Sequence, residues 1–329
     1  MGCGGVADFG HVPAILETEG LELAALFDPD PKQLEKVAAK GGDPKLFMRQ
    51  DEFLQEPLDA VAITSPAGFH HANLMGAAEK GLHALCEKPL ALEDAQAEEM
   101  IKVMRERDLM LFTGFCYRFS PVAKQLKAWK EEGLAGKVGL LRMVYVWNLH
   151  GQYMQNEAGE WVEAPHFTGR MREGGPLIDC GTHQIDLARW WTGSEVAEYH
   201  AEGAWLTDYK APSHVFLHLR HENGMRSAIE VSYSYTHNSR DPREIFTYDL
   251  IGDGGVLHYD RDGWQLEARG AETHVGRGAS EKNFHGMYEG LRDALTSGDP
   301  GDMPSGEDGL IATQLAHRAT DEMIQRRKG

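Results

Sequence analysis

Gly2-Cys3-Gly4-Gly5-Val6-Ala7, directly after Met1, is the stretch whose reading decides the fold. Its pattern is G-x-G-x-x-A. Gly2 permits a tight turn, Gly4 lets the backbone approach a pyrophosphate, and Ala7 lets the following helix pack closely. The phosphates then sit at the positive end of that helix, which makes Gly2, Gly4, Gly5 and Val6 the expected phosphate-binding residues. Alone, the pattern also fits a flexible glycine-rich terminus. Asp28 changes the balance, because it follows the strand-like Leu21–Phe27 at about the 20-residue distance that a ribose-binding carboxylate takes. There it accepts hydrogen bonds from ribose hydroxyls and repels a 2′-phosphate, which favours NAD over NADP. Within Asp28-Pro29-Asp30-Pro31 it also reads as a turn residue.

Working outward, the first 115 residues alternate strand-like and helix-like segments. Pro31–Lys40 reads as a helix. Asp59–Thr64 is a short apolar run that fits a buried parallel strand. His70–Lys80 is helical and stops at Gly81, His83–Cys86 is a strand, Glu93–Arg107 an amphipathic helix, and Leu109–Thr113 another strand. The rhythm implies an α/β fold: a Rossmann-type, doubly wound parallel sheet over residues 1–118. One strand is missing from the pattern. The apolar strand that precedes such a glycine loop lies at the centre of the sheet, yet here Met1 comes directly before Gly2. Without it, neighbouring strands would leave N–H and C=O groups unpaired. The expectation is a first strand truncated by about five to eight apolar residues upstream, a truncation that could also have removed a signal peptide.

The pattern then changes. Helices are expected at Val122–Glu132 and from about Gly181 to Trp191, and a strand at Leu140–Trp147. Strand candidates follow at Glu198–Leu206, Val215–His221, Arg226–Tyr235, Glu244–Ile251 and Gly255–Tyr259. Short turns such as Asn223-Gly224 join some of them, which suggests a largely antiparallel sheet. Helices Glu281–Thr296 and Gly306–Arg326 close the chain. Residues 119–329 thus read as a second domain of α+β type.

Composition narrows the function. Lys and Arg number 33 against 51 Asp and Glu, a net charge of −18, so phosphate backbones and anionic membranes would repel the chain. No apolar run approaches the ~20 residues of a membrane-spanning helix. The four cysteines, Cys3, Cys86, Cys116 and Cys180, are far apart, which suits a reducing compartment and points to the cytoplasm. Neither nucleic acid nor a membrane is an expected partner. Cys180-x-x-His183 beside Asp179 lacks a second clustered pair of ligands, so no metal is expected.

Two further motifs carry chemistry. Cys86-Glu87-Lys88-Pro89 stands at the end of a strand, where open α/β sheets bind ligands. Gly174-Gly175-Pro176-Leu177-Ile178-Asp179-Cys180-Gly181-Thr182-His183 enters a helix. Oxidising a secondary alcohol requires loss of a proton, departure of a hydride and stabilisation of the developing alkoxide. Histidine suits the proton and lysine the oxyanion. Asp179 and His183 are four apart, so on a helix they share a face. Singly, Lys88 could be a solvated lysine, His183 a core histidine and Asp179 a helix cap. Their order behind a nucleotide loop is what makes Lys88, Asp179 and His183 the catalytic candidates.

With the glycine loop, the E-K-P motif and the GGPLIDCGTH segment in this order, the chain resembles the Gfo/Idh/MocA oxidoreductases over nearly its whole length. The resemblance implies a nicotinamide-dependent dehydrogenase of sugars, inositols or related polyols. By position it implies that Thr64, Ser65, Pro66, His70 and Glu87 run past the cofactor, and that Lys88 touches cofactor and substrate. Tyr117, Arg118, Asp179 and His183 join Lys88 around the substrate, and a homodimer or homotetramer is implied. Departures are the missing first strand and Pro176, where many relatives carry a small residue. Two other functions fit the same fold: a glycosidase that uses tightly held NAD for transient sugar oxidation, and a non-catalytic dinucleotide-binding regulator. The presence of Lys88 and His183 counts against the latter. The Trp190-Trp191 pair reads as interdomain packing, and Tyr145, Trp147 and Trp161 as candidates to stack on a sugar ring.

Overall fold

Short parallel strands set the frame of the first unit, in a computed structural model that describes residues 1–164, 169–279 and 282–328. Contacts divide the chain into Met1–Phe119 with Lys282–Ile311, and Ser120–Glu281 with Ala312–Gly329. In the first unit a wide, π-type turn Ala7–His11 runs into α1 (Val12–Glu17). Pro13 lies just beyond that turn and has no N–H for the ordinary helical bond, a recognised cause of local widening. Next come β1 (Ala25–Phe27), α2 (Pro31–Ala38), β2 (Lys45–Phe47), α3 (Gln50–Phe53) and β3 (Ala60–Ile63). They are followed by α4 (His70–Glu79), β4 (His83–Cys86), α5 (Asp94–Glu106) and β5 (Leu111–Thr113). Asp30 caps α2 by accepting the Lys32 N–H, and Pro31 suits its first turn. α5 buries Ala97, Met100, Ile101 and Met104, spaced to form one helical face, against a core with Val61, Ile63 and Ala84.

β1 and β2 pair in parallel, and so do β3, β4 and β5 in that order. Met1 and Gly2 bond to both groups of strands. The Met1 α-amino group donates to the Ala62 carbonyl at 2.7 Å, Thr64 N–H donates to the Met1 carbonyl at 2.9 Å, and Gly2 N–H donates to the Phe27 carbonyl at 2.8 Å. Burial lowers the pKa of that α-amino group. Beside Met1 a cavity of about 90 Å³ is lined in part by Leu23, Ala25, Leu26, Phe53 and Val61.

The second unit begins with α6 (Pro121–Glu131), capped by Ser120, whose hydroxyl accepts the Ala123 N–H at 3.0 Å. β6 (Val138–Val146) leads to a small hairpin of β7 (Tyr153–Gln155) and β8 (Trp161–Glu163). After α7 (Gly169–Arg172), a second π-type turn, Leu177–Gly181, feeds α8 (Thr182–Thr192). The strands β9 (Val196–Ala204), β10 (His214–His221), β11 (Arg226–Ser232), β12 (Ile245–Gly252), β13 (Val256–Asp260), β14 (Gln265–Arg269) and β15 (Thr273–Arg277) complete an eight-stranded sheet. Its order is β15-β14-β13-β12-β6-β11-β10-β9. Every neighbouring pair is antiparallel except β6 with β11, which the long excursion through α8, β9 and β10 allows to run parallel. β14 and β15 were not expected from sequence. β15 is exposed at every residue, so it shows no alternation of apolar and polar positions.

One face of this sheet is core, with Leu217, Ile229, Val231, Tyr248 and Tyr259 fully buried. Trp191 packs there too, at 4.9 Å between ring centroids from Tyr248, and its indole N–H donates to the Ala123 carbonyl at 3.0 Å. It therefore serves the second unit's own core. The opposite face exposes Leu140, Phe216 and Ile251, which share it by strand register.

Helices α9 (Phe284–Ser297) and α10 (Gly306–Lys328) end the chain. A single cut at 118 does not describe where they go, because Lys282–Ile311 returns to the first unit. Phe284, Met287, Tyr288, Leu291 and Ala294 of α9 share a core with Ala14, Leu85, Phe112 and Phe119. Gly10 makes this approach possible, since a Cβ there would stand 2.7 Å from the Phe284 ring.

Candidate active site

The glycine loop, Asp28, the Thr64–Pro66 segment and the E-K-P motif meet along one edge of the first unit. Gly2 has a φ of +92°, and a Cβ there would fall 2.5 Å from the Ser65 nitrogen, so only glycine fits where the loop crosses the end of β3. Gly4 and Gly5 differ: nothing stands within 4 Å of where their Cβ atoms would be. This open side is the kind of cradle a pyrophosphate requires. Asp28 clamps the loop, its Oδ2 accepting the Cys3 N–H at 2.7 Å and its Oδ1 the Asp30 N–H at 2.9 Å. Each carboxylate oxygen has a second lone pair, so the same group can still accept from a ribose hydroxyl. Burial pushes the neighbouring Cys3 thiol up to about 11, which leaves it inert. Thr64 braces the loop from below, its hydroxyl donating to the Gly2 carbonyl at 2.6 Å.

His70 ties this edge together. Its Nε2 is 2.8 Å from the Ser65 carbonyl and its Nδ1 is 3.0 Å from the Pro89 carbonyl. The ring is buried between the Ser65 and Pro89 carbonyls. Asn73 adds an N–H to the Ser65 hydroxyl at 2.8 Å. Glu87 continues from β4, with its N–H donating to the Ile63 carbonyl at 2.9 Å. Its carboxylate is buried, in contact with His11 Nε2 at 2.9 Å and the Lys88 N–H at 3.1 Å. The Lys88–Pro89 peptide is cis. Tyr117 and Arg118 sit in the turn Cys116–Phe119 after β5, both buried, and Arg118 pairs with Asp308 at 3.2 Å.

In the second unit, Asp179 lies in the π-type turn and His183 in the first turn of α8. Such wide turns are rare and concentrate at functional positions. Asp179 is flanked by two donors that the sequence did not single out. The Tyr233 hydroxyl donates to its Oδ2, and the Arg170 guanidinium is 3.4 Å from its Oδ1. Burial, then the charges of Cys180 and Asp179, push the Tyr233 hydroxyl well above its ordinary pKa, so it stays a donor. The Cys180 thiol is 3.7 Å from the same hydroxyl. Around Tyr233 stand Trp147, at 5.6 Å between centroids, and His150, at 5.9 Å. Trp147 stacks on Tyr145, whereas Trp161 is exposed on β8. His183 is almost wholly buried. Tyr233 pairs with Asp179 across 54 residues, a separation that leaves no local pattern in the sequence. Among the described residues, no group of three or more His, Cys, Asp and Glu side chains could hold a metal ion.

Comparison with known proteins identifies the family. Residues 1–115 match the model of an oxidoreductase family with an NAD-binding Rossmann fold, and residues 123–258 match the Gfo/Idh/MocA C-terminal domain. The chain belongs to the Gfo/Idh/MocA oxidoreductases, with residues 1–115 as their NAD-binding domain. It is 28% identical over 327 residues to the myo-inositol 2-dehydrogenase of Thermotoga maritima, covering 93% of this chain and 90% of that one. To the D-glucoside 3-dehydrogenase of Escherichia coli it is 32% identical over 195 residues, 59% of this chain and 53% of that one. Among solved structures, an oxidoreductase from Agrobacterium radiobacter, in complex with NAD+, L-tartaric acid and magnesium, superposes with a TM-score of 0.82 at 23% identity. That match covers 98% of this chain and 94% of the other. The aldose-aldose oxidoreductase of Caulobacter crescentus, complexed with glycerol, gives 0.80 at 22% identity, covering 98% and 96%. These two likenesses bear on the fold. Among the described residues, no helix is long and apolar enough to cross a membrane.

Proposed function

We propose that this protein is a dehydrogenase that uses NAD rather than NADP to interconvert a secondary alcohol of an inositol or sugar with its ketone. The observation that carries the reading is the open glycine cradle clamped by Asp28 on the same edge as the E-K-P lysine. The length over which the chain matches a myo-inositol 2-dehydrogenase supports the substrate class. NAD+, when bound, supplies the acceptor for the hydride. Gly2, Gly4, Gly5 and Val6 would hold its pyrophosphate and Asp28 its ribose. Thr64, Ser65, Pro66, His70 and Glu87 shape the wall that it passes.

The chain's own residues handle the proton and the charge. His183 Nε2 or Nδ1 takes the hydroxyl proton as general base. The Lys88 ammonium steadies the oxygen as it gains negative charge. Asp179 accepts a hydrogen bond from a substrate hydroxyl, and Tyr233 and Arg170 orient its carboxylate. Tyr117 and Arg118 complete the substrate contacts. We also place an oligomer contact, in a homodimer or homotetramer, on the sheet face that exposes Leu140, Phe216 and Ile251. The free, buried cysteines fit a cytoplasmic setting.

The test follows absorbance of reduced nicotinamide with NAD+ or NADP+ and a panel of inositols and sugars. Turnover with NAD+ should exceed that with NADP+, and His183→Ala should lower kcat about 10²-fold. Turnover of no carbohydrate, or a His183→Ala rate equal to the parent, would overturn the assignment.

A further inference from the structure

His11, Glu87 and Tyr288 form a buried line of hydrogen bonds that the chemistry above does not use. His11 Nε2 lies 2.9 Å from Glu87 Oε1, and Nδ1 lies 2.8 Å from the Tyr288 hydroxyl. The three residues are 1%, 7% and 2% exposed, in the order His11, Glu87, Tyr288. The carboxylate accepts, so Nε2 carries the proton and donates, which leaves Nδ1 to accept from the tyrosine. Burial, then the charge of Glu87, push the Tyr288 hydroxyl well above its ordinary pKa, so it remains a donor. The second Glu87 oxygen accepts the backbone N–H of Lys88 at 3.1 Å. Gly114 closes another side, since a Cβ there would stand 2.7 Å from Glu87 Oε1. Phe284 packs on the imidazole at 5.0 Å between centroids.

The line thus begins on α9, passes through the wide turn that follows the glycine loop, and ends on the main chain of the lysine. Little in it can shift without breaking a buried polar contact, which is costly in a dry interior. We propose that His11 and Tyr288 are positioning residues: they lock the Glu87 carboxylate, and through it the backbone from which Lys88 reaches the reacting oxygen. The same imidazole fixes the helix of the nucleotide loop, so cofactor cradle and lysine keep one register. This inference rests on the reading of Lys88 given above.

The experiment compares His11→Leu, His11→Gln, Tyr288→Phe and Lys88→Met with the parent enzyme, using NAD+ and the best substrate of the carbohydrate panel. Misplacing a reacting group by about 1 Å costs up to ~10²-fold in rate. His11→Leu should therefore lower kcat about tenfold or more, with KM for NAD+ changed less than about threefold. His11→Gln, which can offer an N–H near the Nε2 position, should recover most of that loss. Tyr288→Phe keeps the ring and removes one donor, so it decides the matter if His11→Leu does not fold, with a fall of about threefold expected. Parent-like kcat in His11→Leu, in Tyr288→Phe where His11→Leu does not fold, or equal losses in His11→Leu and His11→Gln, would overturn the positioning role. Parent-like kcat in Lys88→Met would instead remove the lysine from the reaction, and that outcome is separate.

Discussion

Gly2 and Gly4 stand two residues apart in one motif, yet the structure predicts opposite consequences for replacing them by alanine. At Gly2 the new methyl group would meet backbone atoms on every near side: Ser65 N at 2.5 Å, Ser65 Cα at 2.6 Å and Thr64 C at 2.9 Å. None of these can rotate away. The φ of +92° adds a conformational penalty of about 1–3 kcal/mol, and overpacking adds about 1–3 kcal/mol more. A total near 4 kcal/mol corresponds to a fall in Tm of about 8–16 °C for a protein or domain of this size. At Gly4 the methyl group meets nothing within 4 Å, so stability should change little. It would instead fill the open side of the loop and weaken NAD+ binding by about tenfold or more, or about 1.4 kcal/mol. Thermal unfolding read by circular dichroism, together with calorimetric titration of NAD+, separates the two effects. A Gly4→Ala variant that binds NAD+ like the parent would refute the cradle. A Gly2→Ala variant with unchanged Tm would refute the packing of the loop on β3.

Further outcomes follow from the second unit. Tyr233→Phe keeps the ring in its buried place and removes the hydroxyl that Asp179 accepts. Loss of a hydrogen bond to a charged group is worth about 1.5–3 kcal/mol, so kcat/KM should fall about 10- to 100-fold, measured by initial rates. An unchanged kcat/KM would detach Tyr233 from the site. On the outer face of the large sheet, His258 Nδ1 is 2.7 Å from Asp249, and this hydrogen bond first, opposed by burial, raises the His258 pKa above its ordinary 6.5. Its stabilising contribution is fully present below that ordinary value and is lost as pH rises through the higher folded one. His258→Gln should flatten that limb of Tm against pH, and an identical profile in both proteins would count against the pair.

Much of the first unit was legible because its signals are local. His83–Cys86 is a strand with the bounds read from sequence, and α4 stops where Gly81, at φ +74°, ends it. The β6–β11 pairing was not legible, since parallel and antiparallel partners need the same apolar alternation and only the path of the chain between them chooses. Nor was the return of α9 to the first unit. Its apolar stripe says that a face is buried, but not against which core. The His11–Glu87–Tyr288 line shares that obscurity, because each member reads singly as an ordinary helix or strand-end residue.

What the amino-acid order determined by itself is the chemistry on offer: glycines at loop spacing, a carboxylate after the next strand, a lysine at a strand end, and an aspartate and histidine four apart. These depend on spacing along the backbone, and local sterics and hydrogen bonding read spacing directly. What the tertiary structure alone decided is how those groups are held. Asp28 is bonded to the loop amide, Asp179 to Tyr233 and Arg170, and Glu87 to an imidazole 76 residues away. Contacts between distant segments arise when separate elements bury their apolar faces together, and no local pattern in the chain encodes which polar side chains that burial brings into reach.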